Sequence, residues 1–176
     1  MLYFGGPIMA LDTASQSGIA LGRPGDAPVL KTVRFRDSED TIEHTWGRVT
    51  KWAVRELKEA KPECIFVETH PPIIKSYDAN LIQIGIWSII VGIADARGIR
   101  CYRAPVNDIR AHFIGSRRYK RDIAKQRTMD VCLQLGFNPA NFDESDAVAA
   151  WHYGCFRVAP EKMANMRTEP LFLGKK

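Results

Sequence analysis

The chain has 176 residues, 45 % of them hydrophobic, and a net charge of +5. That is apolar material enough for the core of one domain, and it excludes wholesale disorder. Four scattered cysteines (Cys64, Cys101, Cys132, Cys155) form no CxxC pair, which points to reduced core thiols in a cytosolic protein rather than a zinc or disulfide framework.

The amino terminus carries neither the basic segment nor the long apolar run of a signal peptide. Residues 7–12, 18–22 and 29–35 read as three strands. Their connections, "TASQS" and "RPGDAP", are turn chemistry of hairpin length. A helix follows, with Asp37 or Ser38 as its cap and Ile42, Trp46, Val49, Ala53 and Leu57 on one face, and Pro62 stops it. Residues 63–68, "ECIFVE", read as a buried strand, and the paired prolines after it force a loop.

The longest uncharged run, residues 79–94, is 16 residues long. A membrane span needs about 20, so this reads as a buried helix, ending near Arg97 and Gly98. Residues 99–104 make another strand, and Pro105 opens a short helix to about Phe113. A helix runs from Arg121 to Leu135, closed by Gly136. A last helix begins at Asn141, with Glu144 completing a capping box. Residues 160–176 show little periodicity and read as a loosely held tail; the domain is set at 1–158, the tail at 159–176. The order β-β-β-α-β-α-β-α-α-α predicts an α/β fold: a five-stranded mixed sheet, antiparallel first and parallel afterwards, with helices on both faces.

Asp12 ends the first strand and Glu68 the fourth. If those strands are parallel neighbours, both carboxylates emerge at the sheet edge where α/β proteins build sites. Asp143 and Asp146 are three apart and share a helix face, with Ala147 and Ala150 beside them allowing close approach to the sheet. Singly, an Asp at a strand end is a turn former and acids at a helix start serve the dipole. Together, four carboxylates without a Cys or His cluster suit a hard cation, Mg²⁺ or Mn²⁺. Two such ions roughly 4 Å apart activate water and stabilise the leaving oxygen of a phosphodiester. "RRYKRDIAKQR", residues 117–127, holds six basic residues and one acid, a local excess equal to that of the whole chain. A tyrosine inside such a patch points to a polyanion partner.

Over about residues 7–155 the pattern resembles the RuvC Holliday junction resolvases of the ribonuclease H-like superfamily. "MALDTASQSGIAL" is similar to their first strand with its aspartate, "CIFVE" to their second acidic strand, and "DESDAVAAWHYG" to their closing D-x-x-D. "NLIQIGIWSIIVGIADARGIRCYRAPVNDIRAHFIGS" is similar to their long helix, strand and next helix, and "AKQRTMDVCLQLG" to their Lys-bearing helix. The resemblance implies strand order 3-2-1-4-5 and a metal-dependent endodeoxyribonuclease for four-way or other branched DNA. Asp12, Glu68, Asp143 and Asp146 would be its catalytic, metal-binding acids. Lys125 would lie near the DNA backbone, alongside the basic residues Arg117, Arg118, Lys120, Arg121 and Arg127.

Two departures stand out. Ala14 occupies a position where the family has glycine. Pro71 stands where bacterial members have an aromatic wedge, so junction opening is either absent in that form or moved to Ile73, Ile74 or Tyr77. With the heavier basic segment, this divergence suggests a phage or prophage member, acting in bacterial or phage-infected host cytoplasm. His70 reads either as a helper near phosphate or as an incidental loop residue. Trp46, Trp52, Trp87 and Trp151 read as core or interface.

The uncharged helix, extended to residues 79–97, reads as a homodimer interface with Gly85 and Gly92 leaving a flat stripe; no membrane partner is expected. Three other readings compete. A sugar-kinase fold of the actin type needs a second domain and a second glycine-rich loop. A non-catalytic branched-DNA binder gains nothing from four acids facing phosphate. A ribonuclease H-like enzyme acting on RNA–DNA hybrids or flaps keeps the chemistry and changes the substrate.

Overall fold

The computed structural model describes residues 5–69 and 77–166. Five strands, β1 (Ile8–Leu11), β2 (Gln16–Gly22), β3 (Val29–Arg34), β4 (Cys64–Thr69) and β5 (Arg100–Pro105), form one sheet in the order β3-β2-β1-β4-β5. β1 pairs antiparallel with β2 and parallel with β4; β2 pairs antiparallel with β3, and β4 parallel with β5. Helices α1 (Ile42–Ala60) and α2 (Tyr77–Ala96) cover one face; α3 (Val106–Phe113), α4 (Arg121–Gln134) and α5 (Phe142–Val158) cover the other.

Strand alternation sorts the core into two halves. Met9, Leu11, Ile19, Ile65 and Val67 meet Val49, Trp52, Leu57, Ile86 and Ile90 of α1 and α2. Ile8, Ala10, Ala20, Cys64, Phe66 and Ala104 meet Phe113, Val131, Ala147, Ala150 and Trp151 of α3, α4 and α5. β1 is buried along its whole length, as its unbroken apolar sequence requires of a central strand. On the α5 side several of the sheet residues are small, Ala10, Gly18, Ala20 and Ala104 among them. A Cβ at Gly18 would overlap the backbone carbonyl of Asp143, and one at Gly154 would collide with the Phe66 ring. α5 therefore rests on β2 backbone to backbone, and Trp151 Nε1 donates to the Gly22 carbonyl at 3.2 Å.

The structure departs from the sequence-based expectation in four places. Thr41, not Asp37 or Ser38, caps α1, its hydroxyl accepting from His44 N at 3.3 Å. Asp37 and Asp40 are instead folded into a turn that Arg48 grips at 2.7 and 3.0 Å, so the acids are occupied before the helix begins. Gly85 is not part of an open stripe: the Trp46 indole of α1 lies against it, and a Cβ there would overlap that ring, whereas Gly92 has open space.

The start of the expected loose tail is ordered. Residues Pro160–Met166 form a 3-10 helix, η1, whose Met163 is fully buried and whose Met166 carbonyl meets His152 Nε2 at 2.7 Å. Glu144 does not close its box on Asn141. One carboxylate oxygen accepts from Ala140 N at 2.7 Å and the other from Thr32 Oγ1 at 2.9 Å, which ties the first turn of α5 to β3. Asn141 does cap, accepting from Glu144 N at 3.0 Å.

α2 is 20 residues long and, by length and apolarity alone, would suffice to cross a membrane. Its Ile82, Ile86, Ile90 and Ala94, spaced by four, form a buried stripe against α1 and the sheet. Much of the rest is exposed, including Ile84 at 61 % and Tyr77 at 79 %.

Candidate active site

Leu11 and Val67 are register partners in the parallel β1–β4 ladder, so Asp12 and Glu68, one residue on, leave the sheet at the same edge. By strand alternation both share a face with Ile8, Ala10, Cys64 and Phe66, the side on which α5 lies. The turn after Asp12 is held by its own hydrogen bonds: Asp12 N donates to Gly18 O at 3.3 Å and Ala14 N to Ser17 Oγ at 3.1 Å. Asp143 and Asp146 sit in the first turns of α5, brought close by Gly18.

These four acids line one cavity of about 170 Å³ together with Arg110, Arg121 and Lys125, closed by Val106, Ile109, Phe113, Thr128 and Ala149. At roughly 30 Å³ per water, that volume holds about five waters or an ion with part of its water shell. Asp12 and Glu68 are buried; Asp143 and Asp146 are half-buried. Burial, reinforced by the nearby Asp12 and Asp146 charges, pushes the Glu68 carboxyl well above the ordinary carboxylate range. Burial and then Asp12 push Asp146 up to about 6, against the pull of Lys125 and Arg110. Crowded, partly desolvated carboxylates of this kind are relieved by a cation.

The donor set is oxygen throughout, with no His or Cys in the lining, which fits a hard divalent cation. Among the described residues no three acids, histidines or cysteines yet stand in an arrangement that could hold an ion. Two of the acids are turned to other groups: Asp143 Oδ2 accepts from Gln16 Nε2 at 2.7 Å, and Asp146 Oδ2 lies 4.0 Å from Lys125 Nζ. The expected four acids thus share one pocket, but not as a finished ligand cage.

The basic residues divide. Arg121 and Lys125 line the cavity. Arg117, Arg118 and Lys120 are exposed on the loop before α4, Arg117 paired with Asp108 at 2.8 Å. Arg127 is half-buried with its guanidinium 4.4 Å over the Tyr119 ring. Two residues were not singled out from sequence. Arg110 reaches the cavity from α3, one turn after Val106, and its place just beyond a strand's carboxyl end was the available signal. Gln16 contacts an acid 127 positions away, which no local pattern announces. His70, Pro71, Ile73 and Ile74 lie outside the described residues.

No protein-family model matches the sequence, and no curated protein matches it. Solved structures do. Thermus thermophilus RuvC bound to a Holliday junction substrate aligns with a TM-score of 0.68 at 14 % identity, over 87 % of this chain and 97 % of that one. Another structure of Thermus thermophilus RuvC aligns at 0.61 and 13 %, over 86 % and 95 %. The yeast mitochondrial Holliday junction resolvase Ydc2 aligns at 0.63 and 8 %, over 92 % and 82 %. With the strand order, the paired strand-end acids and the acidic helix already in place, this likeness identifies the fold: the chain has the ribonuclease H-like fold of the RuvC resolvases.

Proposed function

We propose that this chain is a divalent-cation-dependent endonuclease that cuts phosphodiester bonds in four-way or other branched DNA. The observation that carries the proposal is the cavity itself, which Asp12, Glu68, Asp143 and Asp146 from three separate elements line together with Arg110, Arg121 and Lys125. A purely structural site has no reason to bury repelling carboxylates at a sheet edge. The two solved relatives, one of them holding a Holliday junction, support branched DNA as the substrate class.

Asp12, Glu68, Asp143 and Asp146 would hold the cation, Mg²⁺ or Mn²⁺, as one ion or two. When bound, it lowers the pKa of a water and offsets charge on the phosphate. The chain's own residues do the rest. Arg110, Arg121 and Lys125 bring positive charge to the mouth and seat the scissile phosphate against the acids. Val106, Ile109 and Phe113 wall one side and limit water entry. Arg118 and Lys120 extend the positive surface outward along the DNA backbone. Paired cuts across a two-fold junction suit a homodimer through the exposed side of α2, where Ile84 and Tyr77 are open to solvent. The four free thiols, mostly buried, support a reducing compartment, the cytoplasm of a bacterium or of a phage-infected host.

The test is cleavage of a synthetic four-way junction beside a linear duplex and an RNA–DNA hybrid, in Mg²⁺ and in EDTA. Mg²⁺-dependent cutting of the junction with the duplex left whole supports the reading. Preferred cutting of the hybrid moves the chain to the ribonuclease reading, and tight junction binding without cutting in either Mg²⁺ or Mn²⁺ makes it a binding module.

A further inference from the structure

We infer that Gln16, which lies outside the cavity lining, is the positioning residue that decides which oxygen of Asp143 is offered to a divalent cation; the inference rests on the metal-nuclease reading. Gln16 opens β2 and is the cross-strand partner of Arg34 on β3. A glutamine amide can point either way round, and here Arg34 fixes it. Arg34 Nη2 donates to Gln16 Oε1 at 3.1 Å, so Nε2 must face Asp143, where it donates to Oδ2 at 2.7 Å. Arg34 is itself steadied by Asp37 at 3.7 Å, and Asp37 by Arg48 at 2.7 Å. A line of contacts thus runs from the start of α1 to the acid on α5.

The chemistry of the amide explains why it stands there. Carboxylates that ligate metals are oriented by hydrogen bonds to their second oxygen. A lysine or arginine at position 16 would orient Asp143 equally well but would compete with the cation for its charge. A carboxylate would repel it. The amide engages Oδ2 and leaves the negative charge on Asp143 intact, so Oδ1 is the oxygen left for an ion. The Arg34 charge is kept one residue further out, where it orders the amide without touching Asp143.

The experiment follows Mn²⁺ binding to the full chain by the electron paramagnetic resonance signal of free Mn²⁺, with no DNA present. Gln16→Met keeps the side chain's length and removes both hydrogen bonds. It is expected to weaken Mn²⁺ binding about ten-fold or more with an unchanged melting temperature. Arg34→Met is expected to weaken it less, and the double variant no more than Gln16→Met alone, because Arg34 acts through Gln16. Gln16→Lys keeps a donor toward Asp143 and guards against misfolding of the Met variant; its added charge is expected to weaken Mn²⁺ as well. Wild-type protein that binds no Mn²⁺ overturns the nuclease reading and this inference with it. Wild-type protein that binds Mn²⁺, with Gln16→Met binding it equally or more tightly, overturns the inference alone. Additive losses in the double variant would show that Arg34 acts elsewhere and would break the proposed line of contacts.

Discussion

Asp12 and Glu68 each stand one residue past the register pair Leu11–Val67, so two carboxylates leave neighbouring central strands at the same height and toward the same helix. Burial and then the Asp12 and Asp146 charges lift Glu68, and burial and then the Asp12 charge lift Asp146. The arrangement is electrostatically costly without a cation, and that gives a signature in stability as well as in activity. Asp12→Asn, Glu68→Gln and Asp146→Asn are each expected to abolish junction cleavage in Mg²⁺ while keeping junction binding in Ca²⁺. In EDTA at pH 7.5 they should also be more stable than wild type. For Asp146, a carboxyl raised from 3.8 to about 6, the gain is on the order of 3 kcal/mol by urea titration. Near wild-type cutting by Asp12→Asn would remove the nuclease reading.

His152 is buried, and its contacts assign its protons. Nε2 meets the Met166 carbonyl at 2.7 Å, so it carries the hydrogen; Nδ1 then accepts from His112 Nε2 at 3.0 Å. Protonation would set donor against donor. Burial, followed by His112, pulls His152 down to about 4, with the Met166 carbonyl acting the other way. The native value is depressed below that of the unfolded chain. The stability this group supports is therefore whole above about pH 6.5 and is lost as pH falls toward 4, reaching about 3 kcal/mol. Asp146 acts oppositely: its raised native value means its cost is absent below about pH 4 and grows as pH rises through 6. The clean measurement is the difference between wild type and His152→Gln in urea at pH 7.5 and pH 5. The variant should lose less on acidification; equal losses would contradict the assignment.

The basic loop before α4 is expected to carry affinity rather than chemistry, whereas Arg121, which lines the cavity, contributes to both. Replacing Arg117, Arg118, Lys120 and Arg121 with alanine removes up to four phosphate contacts. The plot of log affinity against log salt should become shallower by up to about 3.6, at roughly 0.9 per contact. If Arg117 stays on Asp108 in the complex, the change should be nearer about 2.7. An unchanged slope would show that DNA runs elsewhere.

The dimer proposal is checked by light scattering at tens of micromolar, where twice the mass of one chain is expected. Ile84, 61 % exposed in the middle of α2, is the residue to change. Ile84→Glu should give a folded monomer that still binds Mn²⁺. A wild-type monomer under those conditions would overturn the dimer.

The strand and helix order was legible because each element carries its own signature: short apolar runs bounded by turn residues or charges in β1 and β4, a stripe every three or four residues in α1. Asp12 and Glu68 could be read as a pair because each ends an apolar run. What stayed hidden depends on residues far apart in sequence. Thr32 reaches Glu144 across 112 positions and displaces the expected capping box; Gln16 reaches Asp143 across 127. Gly85 reads as open surface on α2 until Trp46 of α1 is laid against it. The Asp37–Asp40 turn looks like a helix start because acids favour both, and Arg48, one to two turns into the helix, decides between them.

Where Gly18 meets the first turn of α5, no side chain stands between the two backbones. A side-chain interface softens gradually on warming as rotamers loosen; a backbone-on-backbone seat has no such intermediate. The placement of Asp143 relative to the acids of β1 and β4 is therefore set by van der Waals contact between two backbones and not by side-chain rotamers. Heat inactivation should then coincide with unfolding rather than precede it, and a single added methyl at position 18 would move the whole acid-bearing helix as a rigid lever.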